Sequence, residues 1–137
     1  MTGELFPIDF RLRIPCGEQV TRDWYFGDTV DTSTDPPTVT GPQDWGGWTN
    51  LKIGFVDGLD ATKGAIVEAP LTIEQVQDGG SNTIAILRMA MTSAQSASFE
   101  AGAFTHGLAD VFGRLNGQPK KIRKGVWYAE FSATQTF

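Results

Sequence analysis

Leu115-Asn116-Gly117-Gln118 interrupts a hydrophobic stretch that spans residues 104–134 and resumes at Val126-Trp127-Tyr128-Ala129-Glu130-Phe131. An Asn-Gly pair suits a two-residue type I′ turn, because both residues tolerate positive φ and the twist of that turn matches the twist of paired strands. The pattern predicts a closing β-hairpin with its turn at Asn116-Gly117. The segments upstream are then expected to be strands that pack against this hairpin.

Two upstream segments carry the pattern of β-strands. Residues 8–14 alternate apolar and polar side chains, which places Ile8, Phe10, Leu12 and Ile14 on one face. Residues 19–26 form a second β-rich run after a break at Pro15. We predict that these two runs pair with each other as a hairpin.

Residues 27–47 have no hydrophobic period and hold three of the seven prolines. A loop of roughly 20 residues is uncommon in a compact domain unless it is functional or mobile. The segment is therefore predicted to be a long loop or contact arm, with Asp35, Pro36 and Pro37 among its interface residues. Trp45 and Trp48 flank the end of this loop and are predicted either to pack in the core or to form a surface contact.

The middle of the chain predicts further strands and one short helical turn. Residues 65–67 and 71–76 read as two strands or as one strand bent at Pro70, and residues 83–91 favour a central strand while leaving a helix possible. Thr92 is a candidate N-cap for a helical turn that ends at Gly102. With about 7–9 short strands, the predicted class is all-β, an antiparallel sandwich or barrel. One domain is expected over residues 1–137, with an N-terminal tail at 1–7.

Charge and hydropathy exclude several classes of partner. Eleven Lys plus Arg against sixteen Asp plus Glu give a net charge of −5, which argues against binding to nucleic acid or anionic membranes. No apolar run approaches the roughly 20 residues of a membrane span. The first residues lack a secretory signal, so synthesis and folding are expected in the cytoplasm.

Few residues suggest catalysis or metal binding. His106 is the only histidine and Cys16 the only cysteine, and neither lies in a nucleophile motif. We therefore predict no enzymatic activity, no catalytic residue and no cofactor. Four aspartates lack the spacing of a calcium loop and are predicted to be ordinary turn residues: Asp31, Asp35, Asp57 and Asp60.

Tryptophans leave a second function open. A flat indole face can stack on a sugar ring, so Trp45 and Trp48 would suit a carbohydrate-binding or adhesin module with a glycan partner. Trp24 and Trp127 lie within predicted strands, where indole rings usually fill the core. We therefore predict that the second pair is buried.

A basic cluster follows the Asn-Gly turn: Lys120, Lys121, Arg123 and Lys124. Lysines along a strand guard against edge-to-edge aggregation, because their charge cannot be buried in a new sheet contact. The cluster is predicted to be a solvated strand edge. A docking strip for an acidic neighbouring protein is the other interpretation, and it makes Lys120, Lys121 and Lys124 candidate interface residues.

The order of these signals resembles that of small Ig-like β-sandwich proteins of tailed bacteriophages, such as the N-terminal domain of the siphophage baseplate upper protein. The likeness spans nearly the whole chain through short motifs. They are Pro15-Cys16-Gly17-Glu18, Asp44-Trp45-Gly46-Gly47-Trp48 leading to Leu51-Lys52-Ile53, the 92–102 turn leading to Phe104, and Lys124-Gly125-Val126-Trp127.

The resemblance implies an Ig-like sandwich and a virion structural protein of the tail, baseplate, neck or capsid. It implies no enzymatic activity, no cofactor and no catalytic residue. The expected partners are other virion proteins and further copies of the chain in a symmetric homo-oligomer. The expected location is the virion.

Overall fold

The computed structural model describes residues 10–60 and 62–131, with Phe10 described by its backbone alone. The predicted tail at 1–7 lies outside the described residues. In chain order the elements are β1 (Phe10–Pro15), β2 (Val20–Trp24), β3 (Gly27–Asp31), β4 (Thr38–Pro42), β5 (Trp48–Phe55), β6 (Val67–Gln77), β7 (Thr83–Met91), α1 (Ser93–Ala101), β8 (His106–Leu115) and β9 (Gln118–Glu130).

Seven strands form one mixed sheet in the order β1-β9-β8-β5-β6-β7-β2. Neighbours pair antiparallel, except that β1 runs parallel to β9 from the Phe10–Gly125 pair onward. The two outer strands approach each other where the Arg22 guanidinium donates to the carbonyl of Arg13 at 3.3 Å. The sheet is thus nearly closed into a barrel. The prediction of a β-rich fold is confirmed, whereas the prediction of purely antiparallel pairing is wrong for β1 and β9.

The predicted hairpin between the first two strands does not form. β1 pairs with β9, and β2 pairs with β7 from Val20–Met91 to Trp24–Leu87. The short connection at residues 16–19 carries the chain from one outer strand of the sheet to the other. Sequence neighbours usually pair, but here β1 and β2 each pair with a strand that lies far along the chain.

The closing hairpin is confirmed. Asn116 and Gly117 both have positive φ, at 51° and 83°, and Leu115 pairs with Gln118 across the turn. The ladder between β8 and β9 then continues to the far end of β8, with one register shift. Because β9 also pairs with β1, this hairpin supplies an interior strand of the sheet.

The strand β6 is one continuous strand that passes through Pro70, as one of the two sequence alternatives predicts. Its first part pairs with β5 up to the Lys52–Pro70 pair, and its second part, Leu71 to Gln77, pairs with β7. β6 therefore belongs to two ladders and turns the corner of the barrel. Proline has no N–H to donate to a ladder, so within a strand it suits the point where one ladder ends and the next begins.

Aromatic rings fill the barrel interior. The ring centroids of Phe99 and Trp127 lie 4.5 Å apart, and Phe55 contacts Phe99 edge-on at 5.5 Å. The indole N–H of Trp127, which is 1% exposed, donates to the carbonyl of Val56 at 2.9 Å. The prediction that Trp127 is buried is confirmed, and Trp24 is half-buried and packs against the same core.

The helix α1 attaches to the barrel through a buried hydroxyl. Thr92 is its N-cap and accepts a hydrogen bond from the amide of Gln95, and Gly102 ends it, as predicted. It is longer than the single turn that the sequence predicts. The Ser96 hydroxyl, fully buried, donates to the carbonyl of Glu18 at 2.6 Å. This contact ties α1 to the connection between β1 and β2.

The segment predicted as a long loop at 27–47 contains a two-stranded antiparallel hairpin, β3–β4. It packs through Val39 against Ile84 and Ile86 of β7. Those two isoleucines lie on the face of β7 opposite to that of Leu87 and Met89, which belong to the main core. The strand β7 is therefore covered on both faces. That double coverage explains its almost continuous apolar sequence. The loop prediction is wrong because polar threonines and aspartates occupy the outward positions of these strands and hide their period.

Candidate assembly surfaces

One buried carboxylate fastens the β3–β4 hairpin to the sheet. Asp78 is 4% exposed and lies in the turn between β6 and β7. Its Oδ2 accepts from the amide of Val39 at 3.0 Å, and its Oδ1 accepts from the amides of Gly80 and Asn82, each at 2.9 Å. These donors, Val39 first, hold the pKa of Asp78 below its usual value. The hairpin is thereby held in one position on the barrel.

The tip of this hairpin presents the predicted contact residues. Asp35 and Pro36 are exposed and Pro37 is half-buried. The carbonyl of Pro37 accepts from the amide of Gly79 at 3.1 Å, which joins the base of the tip to the turn beneath it. The outer side of the tip is open to solvent, so a partner could contact it without displacing the hairpin.

Trp45 is not available as a contact residue. It is 5% exposed and lies between Phe26 and Trp48, with edge-on centroid separations of 5.4 and 5.9 Å. Its indole N–H is buried with no hydrogen-bond partner. Trp48 is half-buried and packs against the core. The interpretation of this pair as core is the one that the structure favours, because the linking chain between β4 and β5 folds inward there.

The basic cluster lies on the first half of β9. The ladder with β1 begins only at Gly125, so residues 118–124 pair with β8 alone within the part of the chain that the structure describes. The cluster therefore lies on the part of β9 that precedes its ladder with β1. This placement is compatible with the predicted charged edge and with a docking strip.

Members of the basic cluster differ in their surroundings. Lys120 and Lys124 are exposed, and the Lys121 ammonium lies 3.4 Å from a carboxylate oxygen of Asp110. Arg123 is more enclosed, and burial lowers the pKa of its guanidinium. The three lysines project charge into solvent, whereas Arg123 is part of the packed surface.

The candidate catalytic residues are not assembled into a reactive group. Cys16 is buried at an open groove of about 930 Å³ beside α1, and burial is the main reason that its pKa is raised. A thiol with a raised pKa is a poor nucleophile at neutral pH. His106 is exposed at the start of β8, where its Nδ1 lies 2.9 Å from the Thr105 hydroxyl. This hydroxyl is the hydrogen-bonding neighbour of the His106 ring and is exposed with it, whereas the Cys16 thiol lies 3.9 Å from the carbonyl oxygen of Ile14.

Two of the predicted turn aspartates serve their own turns. Asp31 accepts from the hydroxyl and amide of Ser33, and Asp60 accepts likewise from Thr62. The hydroxyl donors lower the pKa of both carboxyls. Across residues 10–60 and 62–131, no group of three or more His, Cys, Asp and Glu side chains could hold a metal ion.

The sequence reasoning missed one surface. Beyond the Lys52–Pro70 pair β6 leaves β5, and its segment from Leu71 to Gln77 pairs only with β7 among the described residues. Ile73 is 39% exposed there. The signal was present as a β-prone alternating segment, but only the three-dimensional pairing reveals that one side of it is open.

Comparison with known proteins gives no family for this chain: no family model and no curated protein sequence matches it. The helix in the described part of the chain, α1, has nine residues. No helix among those residues is long and apolar enough to cross a membrane.

Proposed function

We propose that this chain is a structural protein of a tailed-phage virion, in the tail, baseplate, neck or capsid, that acts through self-assembly and contacts with other virion proteins. Its place would be the virion, and it would have no enzymatic role. The sequence resemblance to Ig-like phage proteins motivates the proposal.

The observation that carries the proposal furthest is the β3–β4 hairpin. It is an added element that packs on the outside of the barrel, and Asp78 fixes its position through a hydrogen bond to Val39. Its tip is exposed. A rigid, exposed projection needs little ordering when it binds, so less conformational entropy opposes association. A flexible arm that orders only in the complex would lose more conformational entropy on binding than this hairpin does.

The basic strip on β9 supplies a second contact of a different kind. Lys120 and Lys124 are exposed on a protein whose net charge is −5. A local positive strip on an acidic protein favours an acidic patch on a neighbour and orients the encounter. We assign this strip to contacts with other virion proteins.

The alternative function, a carbohydrate-binding or adhesin module, depended on Trp45 and Trp48. The ring of Trp45 is enclosed by Phe26 and Trp48, so it offers no free face for a sugar. We therefore retain the virion proposal alone.

Complementation in a phage that encodes this chain tests the proposal. Phage that lack the gene should form incomplete particles, and the intact chain should restore them. A variant in which Asn-Gly replaces residues 32–37 keeps β3 and β4 paired but removes the tip, and we expect it to fold and fail to restore particles. Asp60→Asn, in a turn away from this hairpin, is the control and should restore them. Normal particles without the gene would contradict the proposal.

A further inference from the structure

The free side of β6 exposes backbone groups as well as side chains. Hydrogen bonding alternates along an antiparallel ladder, so every second residue faces the partner strand. The amide of Asp78 donates to the carbonyl of Asn82 on the β7 side. This hydrogen bond lies one pair beyond Gln77–Thr83 in the register of β6 and β7, so it places the even-numbered residues of β6 toward β7.

The odd-numbered residues therefore face away from β7. Between Pro70 and the turn these are Leu71, Ile73, Gln75 and Gln77, and no ladder partner takes their N–H and C=O groups within the described ranges. Leu71 is buried, whereas the other three are exposed. Residues 71–77 carry a single charge and no lysine or proline, so the usual protections of an edge strand are missing.

The edge is complementary to itself. In a two-fold pair the two strands run antiparallel, and the residue on the axis lies opposite its own copy. An axis at Gln75 places Ile73 opposite Gln77 and Glu74 opposite Val76, so no like charges face each other. An axis at Glu74 would place two carboxylates directly opposite, which is destabilising. An axis at Ile73 would require the buried Leu71 to pair.

We propose that a second copy of this chain adds to the free edge of β6 by antiparallel pairing centred on Gln75, which joins two barrels through one continuous sheet. Ile73, Gln75 and Gln77 of each copy exchange backbone hydrogen bonds with the same three residues of the other. The partial burial of Ile73 adds an apolar contribution. This inference deepens the proposed self-assembly, rests on it, and names the surface that carries it.

Sedimentation velocity over a concentration series, with Ile73→Lys as the test variant, examines the proposed pairing. The intact chain should reach twice the monomer mass, and Ile73→Lys should remain monomeric because a lysine guards the edge. Val126→Lys is the matched control. Val126 is 37% exposed against 39% for Ile73, but it lies on β9 where that strand pairs on both sides. This control should dimerise like the intact chain.

Disulfide crosslinking tests the register. Residues opposite each other in a hydrogen-bonded pair have Cα atoms about 5.5 Å apart, within the range for a disulfide. Gln75→Cys should therefore form a crosslinked dimer under mild oxidation, and Glu74→Cys should not. The native Cys16 is buried, so the intact chain should stay uncrosslinked.

Several outcomes would overturn the inference. A monomer at every concentration, or a dimer that Ile73→Lys leaves intact, excludes the β6 edge, and crosslinking of Glu74→Cys in place of Gln75→Cys excludes the register. Each of these results leaves the virion proposal standing, because particle complementation decides that separately. Normal particles without the gene, together with an edge-dependent dimer, would reject the virion role and keep the β6 contact.

Discussion

Two tryptophans of this protein differ in one hydrogen bond. Trp127 and Trp45 are both almost fully buried, but the indole N–H of Trp127 donates to the carbonyl of Val56, whereas that of Trp45 has no partner. A buried donor without a partner destabilises the folded state by about 1–3 kcal/mol. The indole N–H of Trp127 therefore stabilises the folded state, whereas that of Trp45 destabilises it.

Replacing each tryptophan with phenylalanine separates these contributions. Trp127→Phe removes the hydrogen bond to the carbonyl of Val56 and part of the side-chain volume in the core. It should lower the free energy of unfolding by about 2–3 kcal/mol. Trp45→Phe also loses volume but relieves the unpaired donor, so its effect should be smaller by roughly 2 kcal/mol. Urea unfolding measures both. Equal losses would show that the N–H of Trp45 has a partner in solution.

Gly107 permits the close approach that makes the Trp127 hydrogen bond possible. A Cβ at this position would lie 1.7 Å from the carbonyl oxygen of Val56 and 2.8 Å from Nε1 of Trp127. Gly107→Ala should therefore destabilise the fold by about 3 kcal/mol or more, because backbone must move. Gly64→Ala is the control, since its Cβ would meet nothing within 4 Å. Thermal unfolding of the two variants checks the difference, and similar melting temperatures would refute it.

At the scale of elements, α1 is held by the buried hydroxyl of Ser96 in addition to the ring of Phe99 in the core. Ser96 donates to the carbonyl of Glu18 and accepts from the amide of Gly17 at 3.0 Å, both in the connection between β1 and β2. These two hydrogen bonds connect α1 to the segment that links the two outer strands of the sheet.

Ser96→Ala should cost about 1–3 kcal/mol, because it leaves the Gly17 amide and the Glu18 carbonyl without their partner. Ser98→Ala changes an exposed hydroxyl on the same helix and should stay within about 0.5 kcal/mol. Chemical denaturation of both proteins provides the measurement. If Ser96→Ala were as stable as Ser98→Ala, the anchor would be unimportant.

The β3–β4 hairpin should respond to acid through Asp78. The folded state holds the pKa of this carboxyl below the value of about 3.9 expected when unfolded. Its contribution is therefore fully present above pH 3.9 and is lost as the pH falls toward the lower folded pKa. The amide of Val39 should shift in NMR spectra over that acid range, with faster hydrogen exchange in the hairpin. Asp78→Asn should abolish the titration of the Val39 amide, whereas Asp60→Asn should preserve it.

At the scale of the whole molecule, local signals predicted local structure well. The Asn116-Gly117 turn and the Thr92 cap follow from chemistry within a few residues, and both are present. At Pro70 the local pattern leaves one strand or two open, and the structure has one. The pairing of β1 with β9 spans nearly the whole chain, and no local pattern encodes it.

The candidate surfaces show the same division. The exposed tip at Asp35 and Pro36 is readable from composition. The burial of Trp45 and the free edge beside Ile73 both depend on how distant segments pack. The sequence therefore leaves Trp45 open between core and surface, and it gives no sign of the free edge. The alternation of a strand reports its faces but carries no information about whether both of its sides are paired.

Quantitative mass spectrometry of gradient-purified particles, from a phage that encodes the chain, tests whether the chain is a component of the virion, as we propose. We expect the chain to co-purify with infectious particles at a fixed ratio to the capsid protein, and at an even copy number if β6 pairs two copies. A chain that is abundant in the lysate but absent from the purified particles would contradict a virion role.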